Sequence, residues 1–317
     1  MISDELLFIF IQVAGVCIAG LVGFLGVVSN VINIVIFVKI GFSDTTNLSL
    51  LALAVADVSV SLPMIGYSFI NVPFVFSLLG ESLRVAIYAV LGSIQIVFCR
   101  ISGLLTAFLA LERFFCVAWP LRVKTLVTPK LTVWVIISIT AIMTSSDVPY
   151  ALANLIGPIY DPLLNETVYG TVFIPYSECF EAITVIIQVL AQMTSFVVVS
   201  VSTLGLIRSL RTISQWRKST SSVSLPAHVS RREKQLVKMV ILISTVFIVC
   251  SLPTVVGNLA MVFVEDFNDR GPNRNMFILA SSVFVILNSI NSMINIFVYV
   301  NMSSRFRKTF FALFKFN

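Results

Sequence analysis

The chain has 317 residues, of which 58% are hydrophobic and only 11% charged, with a formal net charge of +6. A water-soluble domain of this size carries about a quarter charged residues, so the composition excludes a surface built for water. The five cysteines (Cys17, Cys99, Cys116, Cys179, Cys250) are scattered, no Cys or His pair is closely spaced and His228 is the single histidine, which argues against a zinc site and against a secreted disulfide framework.

Crossing about 30 Å of hydrocarbon takes about 20 apolar residues in a helix. Seven stretches reach that length, at roughly 9–38, 48–72, 86–118, 131–153, 181–207, 236–264 and 277–301. Polar residues interrupt the second and third and soften their edges. The start, Met1-Ile-Ser-Asp-Glu, lacks the basic segment of a signal peptide, and the apolar stretch after it has no small-residue cleavage site. It is predicted to be a retained first span. The expected fold is an all-α integral membrane protein: a seven-helix bundle over 1–301 and a tail over 302–317, with only loops between the spans.

Charge gives the bundle a direction, because Lys and Arg accumulate on the cytoplasmic side. Lys39, then Arg113, Arg122, Lys124 and Lys130, then the basic residues from Arg208 to Lys238, then Arg305, Arg307, Lys308 and Lys315 make seventeen of the 21 basic residues on one side. Arg84, Arg270 and Arg274 fall on the other side, and Arg100 lies inside the third span. The N-terminus is therefore expected outside and the C-terminus in the cytoplasm, as in a multi-pass plasma-membrane protein. The basic balance then reflects topology and membrane lipids of the anionic inner leaflet rather than nucleic acid. The sequon Asn165-Glu166-Thr167 falls in the second outside loop, where a glycan can be added. Those at Asn47 and Asn301 face the cytoplasm.

Polar side chains inside a span are costly, and each asks for a partner. Taken in chain order, these are Asn30, Asp57, Ser102, and then Asn291, Ser292 and Asn295, the two asparagines sharing a helix face at i, i+4. A lone carboxylate among amides and hydroxyls either knots helices together by hydrogen bonds or holds a small cation. At the inner end of the third span stand Glu112 and Arg113. They either snorkel or, with Glu233 at the start of the sixth span, supply an Arg113–Glu233 clasp that a switch can open. Pro253 kinks the sixth span, as a pivot or merely as packing. Arg100 is the odd residue: it lies about 20 Å of helix from Arg113, too far to snorkel inward, and requires an acid, amides or a ligand carboxylate. The outside acids Asp161, Glu166, Glu178, Glu181, Glu265, Asp266 and Asp269 would favour cationic peptides, or are ordinary solvated loop surface. Ser219–Ser222 and Ser224 are either phosphorylation sites or a solvated loop.

Asn30, Leu53-Ala-Val-Ala-Asp57, Glu112-Arg113-Phe114, the Pro253 kink and Asn295-Ile-Phe-Val-Tyr299, in that order and on those spans, resemble the rhodopsin-like (class A) G-protein-coupled receptors over nearly the whole chain. The resemblance implies a sodium pocket of Asp57, Ser102, Asn291, Ser292 and Asn295, with no other metal or cofactor. It also implies an Arg113 that meets a heterotrimeric G protein, a resting partner in Glu233, and an inward-swinging Tyr299. The tail fits the family's short amphipathic helix, with Phe306, Phe310, Leu313 and Phe314 on one face and Arg305, Arg307 and Lys308 toward lipid phosphates. The run Ala118-Trp-Pro-Leu-Arg resembles the second inner loop of invertebrate chemosensory or neuropeptide-type receptors.

Four features depart from the family pattern. Ile296 replaces the seventh-span proline, Ser251 replaces the sixth-span tryptophan, and Trp134 sits near the inner end of its span. Cys99 lies too deep to pair with Cys179, so no disulfide is predicted. An outward-opening pocket is expected to include Gln95, Cys99, Arg100 and Ser251. Gln95 stands where amine receptors carry an aspartate, and the absence of lysine from the seventh span excludes a retinal Schiff base. The implied function is a receptor, not an enzyme, for an extracellular peptide or small chemosensory molecule, activating a G protein as the sixth helix pivots. The alternatives are a ligand-gated channel or transporter, and a receptor-like protein with impaired signalling.

Overall fold

In the computed structural model the described residues are 3–42, 44–119, 127–161, 165–172, 175–219, 231–264, 266–267 and 271–314. Seven of its helices are long and apolar enough to cross a membrane. The first spanning helix is built of Asp4–Gln12, a π-helical turn Val13–Ile18, and Ala19–Ile40. The second runs Thr45–Ile70, the third Glu81–Ala118, the fifth Ser177–Ser219, the sixth Arg231–Phe263 and the seventh Arg274–Met302. The fourth is Pro129–Ser146, continued past Asp147 by Val148–Ala153. The face where the chain begins is the N-terminal face below, and the opposite one the C-terminal face.

Helix limits follow local chemistry. Asp44 caps the second helix by accepting from the Thr46 amide at 3.2 Å, and Thr128 accepts from Leu131 at 3.2 Å just ahead of Pro129. Gly41 ends the first helix at φ +96°, where its N–H reaches the Phe37 and Val38 carbonyls. The tail helix, Ser304–Leu313, is capped by Ser303 and tied back to the first helix by Arg305, which donates to the Ile40 carbonyl at 2.9 Å.

The bundle is apolar outside, unlike a protein folded in water, and inside it combines apolar clusters with buried polar side chains. Phe24, Phe69, Val201 and Val249 are at least 60% exposed, while Asn30, Asp57 and Ser61 are completely buried. With hydrocarbon as solvent, close packing and hydrogen bonds hold helices together. The first two helices pack along Gly20, Gly23 and Gly26. A Cβ at Gly20 would lie 2.5 Å from Ser68 Oγ, one at Gly23 2.8 Å from Met64 Cβ, and one at Gly26 3.0 Å from Ser61 Cβ.

Three elements were not anticipated. The π turn in the first helix accepts a 2.7 Å hydrogen bond from Ser68 Oγ at the Val16 carbonyl, and Pro73–Leu79 forms a short connecting helix. Between the fourth and fifth helices, strand β1 (Leu155–Asp161) pairs antiparallel with β2 (Glu166–Val172), Gly157 facing Gly170. The hairpin lies on the third helix, since a Cβ at Gly170 would stand 3.2 Å from Ser82 Cβ. Its sequence alternates only weakly and β1 contains Pro158, which masks a strand signal. Asn165, in the turn just before β2, is exposed at φ +53° and accepts a 2.6 Å bond from the Tyr160 hydroxyl.

Candidate functional site

The second, third and seventh helices meet at Asp57. Its Oδ1 accepts from Ser102 Oγ at 2.8 Å and its Oδ2 from Asn295 Nδ2 at 2.8 Å. Its main-chain carbonyl accepts from Ser61 Oγ at 2.8 Å and from Ser292 Oγ at 3.0 Å. The first helix joins through Asn30, which donates to the Ser292 and Gly26 carbonyls, both at 3.0 Å, and accepts from Asn33 at 3.0 Å. Asn30, Asp57, Ser102, Ser292 and Asn295 are thus brought together. Asn291 stands one turn away on the same helix face, half-buried, and takes no part in the hydrogen bonds described here.

The donor set at Asp57 is all oxygen: the carboxylate, two serine hydroxyls, and the Asn295 amide oxygen, which is buried with no hydrogen-bond partner. Such a set suits a hard cation. No group of three or more His, Cys, Asp or Glu side chains is gathered anywhere among the described residues.

One level toward the C-terminal face, Glu112 is fully buried at its side chain and pairs with Arg113 at 2.5 Å, while Thr45 Oγ1 donates to the same Glu112 oxygen at 2.5 Å. Thr45 starts the second helix, so this bond fastens two helix ends. Asn47 adds a second fastening by donating to the Phe37 and Gly41 carbonyls of the first helix. Glu233 stands in the first turn of the sixth helix, but its side chain lies outside the described residues, and with it the Arg113–Glu233 pairing. Arg122, Lys124, Ser221, Ser222 and Ser224 fall outside them as well. Tyr299 is buried between Phe37 and Phe306, at ring-centroid distances of 5.2 and 5.4 Å, and its hydroxyl has no partner. Pro253 lies inside an unbroken sixth helix.

Toward the N-terminal face other polar contacts link the helices. Gln95 donates to Ser289 Oγ at 3.1 Å, joining the third and seventh helices. Arg100 is 8% exposed and donates through Nη1 to Gln192 Oε1 of the fifth helix. Its partner is therefore an amide, one of the possibilities that composition left open. Cys99 is partly buried beside it, and Ser251 is buried with an unpartnered hydroxyl. All five cysteines are free thiols, Cys179 exposed and Cys250 buried. Gln192 and Gln188 escaped sequence reading, although Thr184, Gln188, Gln192 and Ser195 form a buried polar stripe at helical spacing in the fifth span. Thr45 and Ser61 carried no such signal, because hydroxyl residues are common in any span.

No curated protein matches the chain significantly. The family model for the 7 transmembrane receptor (rhodopsin family) matches residues 29–299, a stretch that takes in the Asp57 cluster, the Glu112–Arg113 pair, Pro253 and Tyr299. The chain belongs to the rhodopsin family of seven-transmembrane receptors.

Proposed function

We propose that the protein is a plasma-membrane receptor, N-terminus outside and C-terminus in the cytoplasm, that binds an extracellular ligand and activates a heterotrimeric G protein. The observation that carries this reading is the presence on the third helix of two buried polar sites, the Asp57 cluster shared by three helices and the Glu112–Arg113 pair at the C-terminal face. Asp57, Ser102 and Asn295, with Ser292 alongside, would hold a sodium ion, whose charge balances the carboxylate. In the resting state Glu112 and Thr45 hold Arg113 against the third helix. Ligand binding favours a state in which the sixth helix pivots at Pro253, Arg113 is released toward the G protein, and Tyr299 leaves its aromatic nest. A ligand shifts this balance only by its difference in affinity for the two states. Asn165, exposed on the hairpin, is the proposed glycan acceptor.

The test is guanine-nucleotide exchange on a panel of G proteins, with a library of peptides and small chemosensory molecules and an Arg113→Ala control. Ligand-dependent exchange that disappears in Arg113→Ala is expected. Exchange that survives the substitution, or ligand-gated current without a G protein, overturns the mechanism. A second reading, a receptor-like protein with impaired signalling, draws on Ser251 and Ile296. It is distinguished by specific ligand binding with no exchange on any G protein.

A further inference from the structure

The third, fifth and sixth helices touch at Gly103, where an added Cβ would meet Ser195 Oγ at 3.2 Å and the Phe247 ring at 3.3 Å. One turn from each of these, toward the N-terminal face, stand Arg100 on the third helix, Gln192 on the fifth and Ser251 on the sixth. All three are more than nine-tenths buried. Arg100 Nη1 donates to Gln192 Oε1, taking up one of that oxygen's two lone pairs. Left over at this level are Arg100 Nε, Gln192 Nε2 and Ser251 Oγ, each buried without a partner. Two of these atoms can only donate, and the third can.

The imbalance is one of charge as well as of hydrogen bonds. Gln192 is neutral, and among the described residues no acid pairs with Arg100. Asp57 is engaged by Ser102 and Asn295, and Asp147 accepts from Ser93. Water can satisfy a donor but cannot neutralise a guanidinium buried inside the bundle. The group that answers both deficits is an anion with two acceptor oxygens, the partner for which a guanidinium fork is shaped. A single positive charge sets the valence: a monoanion cancels it, whereas a phosphate dianion would leave net negative charge in the membrane interior. Exposed Glu166 and Glu178 at the N-terminal face further disfavour a multiply charged anion.

We propose that Arg100, Gln192 and Ser251 form a binding site for the carboxylate of a monoanionic ligand. The inference rests on the receptor reading only for the claim that occupancy is signalled; the site itself is tested by binding. The carboxylate can come from water or from the bilayer, and the probes separate these sources. Thermal unfolding of the full chain in lipid nanodiscs is followed with sodium acetate, benzoate or dodecanoate, against the matching methyl esters and against sodium chloride at constant sodium. Ligand that binds only the folded state raises the midpoint.

The expected result is a rise of several degrees with a carboxylate and none with its ester or with chloride. A response to acetate or benzoate assigns the source to solution, and a response to dodecanoate alone assigns it to the bilayer. Arg100→Gln is expected to lose the shift, with affinity reduced about tenfold or more. Its own midpoint in chloride is expected to be unchanged or higher, because an uncompensated buried charge has been removed. Carboxylates that match their esters, act equally on Arg100→Gln, or are equalled by chloride overturn the proposal. So does an Arg100→Gln chain that is destabilised and indifferent to every anion, since Arg100 would then be a strut between helices. Carboxylate binding without nucleotide exchange supports the site and overturns the signalling reading. Exchange driven equally in wild type and Arg100→Gln by an uncharged ligand overturns this proposal and leaves signalling intact.

Discussion

The two halves of the bundle solve the same problem differently. Toward the C-terminal face, charged groups meet partners of complementary kind: Asp57 receives two side-chain donors, Glu112 receives Arg113 and Thr45, and Arg305 closes on the end of the first helix. Toward the N-terminal face, Arg100 faces a neutral amide, and Ser251, Asn258 and both Gln188 and Gln192 hold unpartnered buried atoms. A buried polar group left unsatisfied costs about 1–3 kcal/mol. Unpartnered buried atoms occur in both halves, at Glu112, Arg113, Asn295 and Tyr299 as well, so the contrast is one of charge: the C-terminal half sets a carboxylate against its guanidinium, and the N-terminal half sets only an amide there.

Four substitutions probe that contrast, and the largest effect is expected from packing in the first half. Gly26→Leu forces side-chain atoms into the space held by Ser61, whose Cβ would be 3.0 Å from the new Cβ. The first two helices must then part, at a cost of about 1–3 kcal/mol or more, and the yield of monodisperse protein is expected to collapse. Recovery at wild-type yield would show that this interface is loose. Asp57→Ala strands the Ser102 hydroxyl and the Asn295 amide, at about 1–3 kcal/mol for each. The unfolding midpoint is expected to fall, and any difference between sodium and potassium chloride to vanish with it. An unchanged sodium response would remove the ion from Asp57.

Thr45→Val deletes one hydrogen bond to a charged carboxylate, worth about 1.5–3 kcal/mol, and loosens Arg113. A raised ligand-independent exchange rate is expected, and an unchanged rate would mean that Thr45 only fastens helix ends. The smallest effect belongs to Arg305→Ala. It removes an exposed contact to the Ile40 carbonyl, and surface changes of this kind stay within about 0.5 kcal/mol. A larger fall in the midpoint would make the tail helix part of the core.

Hydropathy was enough to place the seven helices, because an unbroken apolar run has few other uses at this length. Asp57, Asn30 and Asn295 were legible for the complementary reason: an amide or carboxylate in such a run is conspicuous. Their mutual contact was not legible from composition, since it depends on how three helices rotate about their axes. The family pattern supplied that rotation for Ser102 and Ser292, but Asn291 does not join the hydrogen bonds it suggested. Gln192 shows the limit most clearly, because the need of Arg100 for a partner was plain while the fifth-helix residue turned toward it was not. The hairpin was hidden for another reason. Its strands are short and include Pro158, so they read as loop beside the long apolar signals around them.

The π turn at Val13–Ile18 divides the first helix into two segments of different register. One residue more than an α turn rotates everything before it by about 100° relative to everything after it. Below the turn, the register of Gly20, Gly23 and Gly26 against Ser68, Met64 and Ser61 is fixed by contact. Above it, the segment packs against the seventh helix and buries Leu7. A residue deleted within the turn can be absorbed by its relaxing to ordinary α-helix, whereas one deleted between Gly20 and Gly26 slides the glycines off their partners. The turn is a slip joint: it can take up a one-residue change in length while the glycine face stays locked to the second helix.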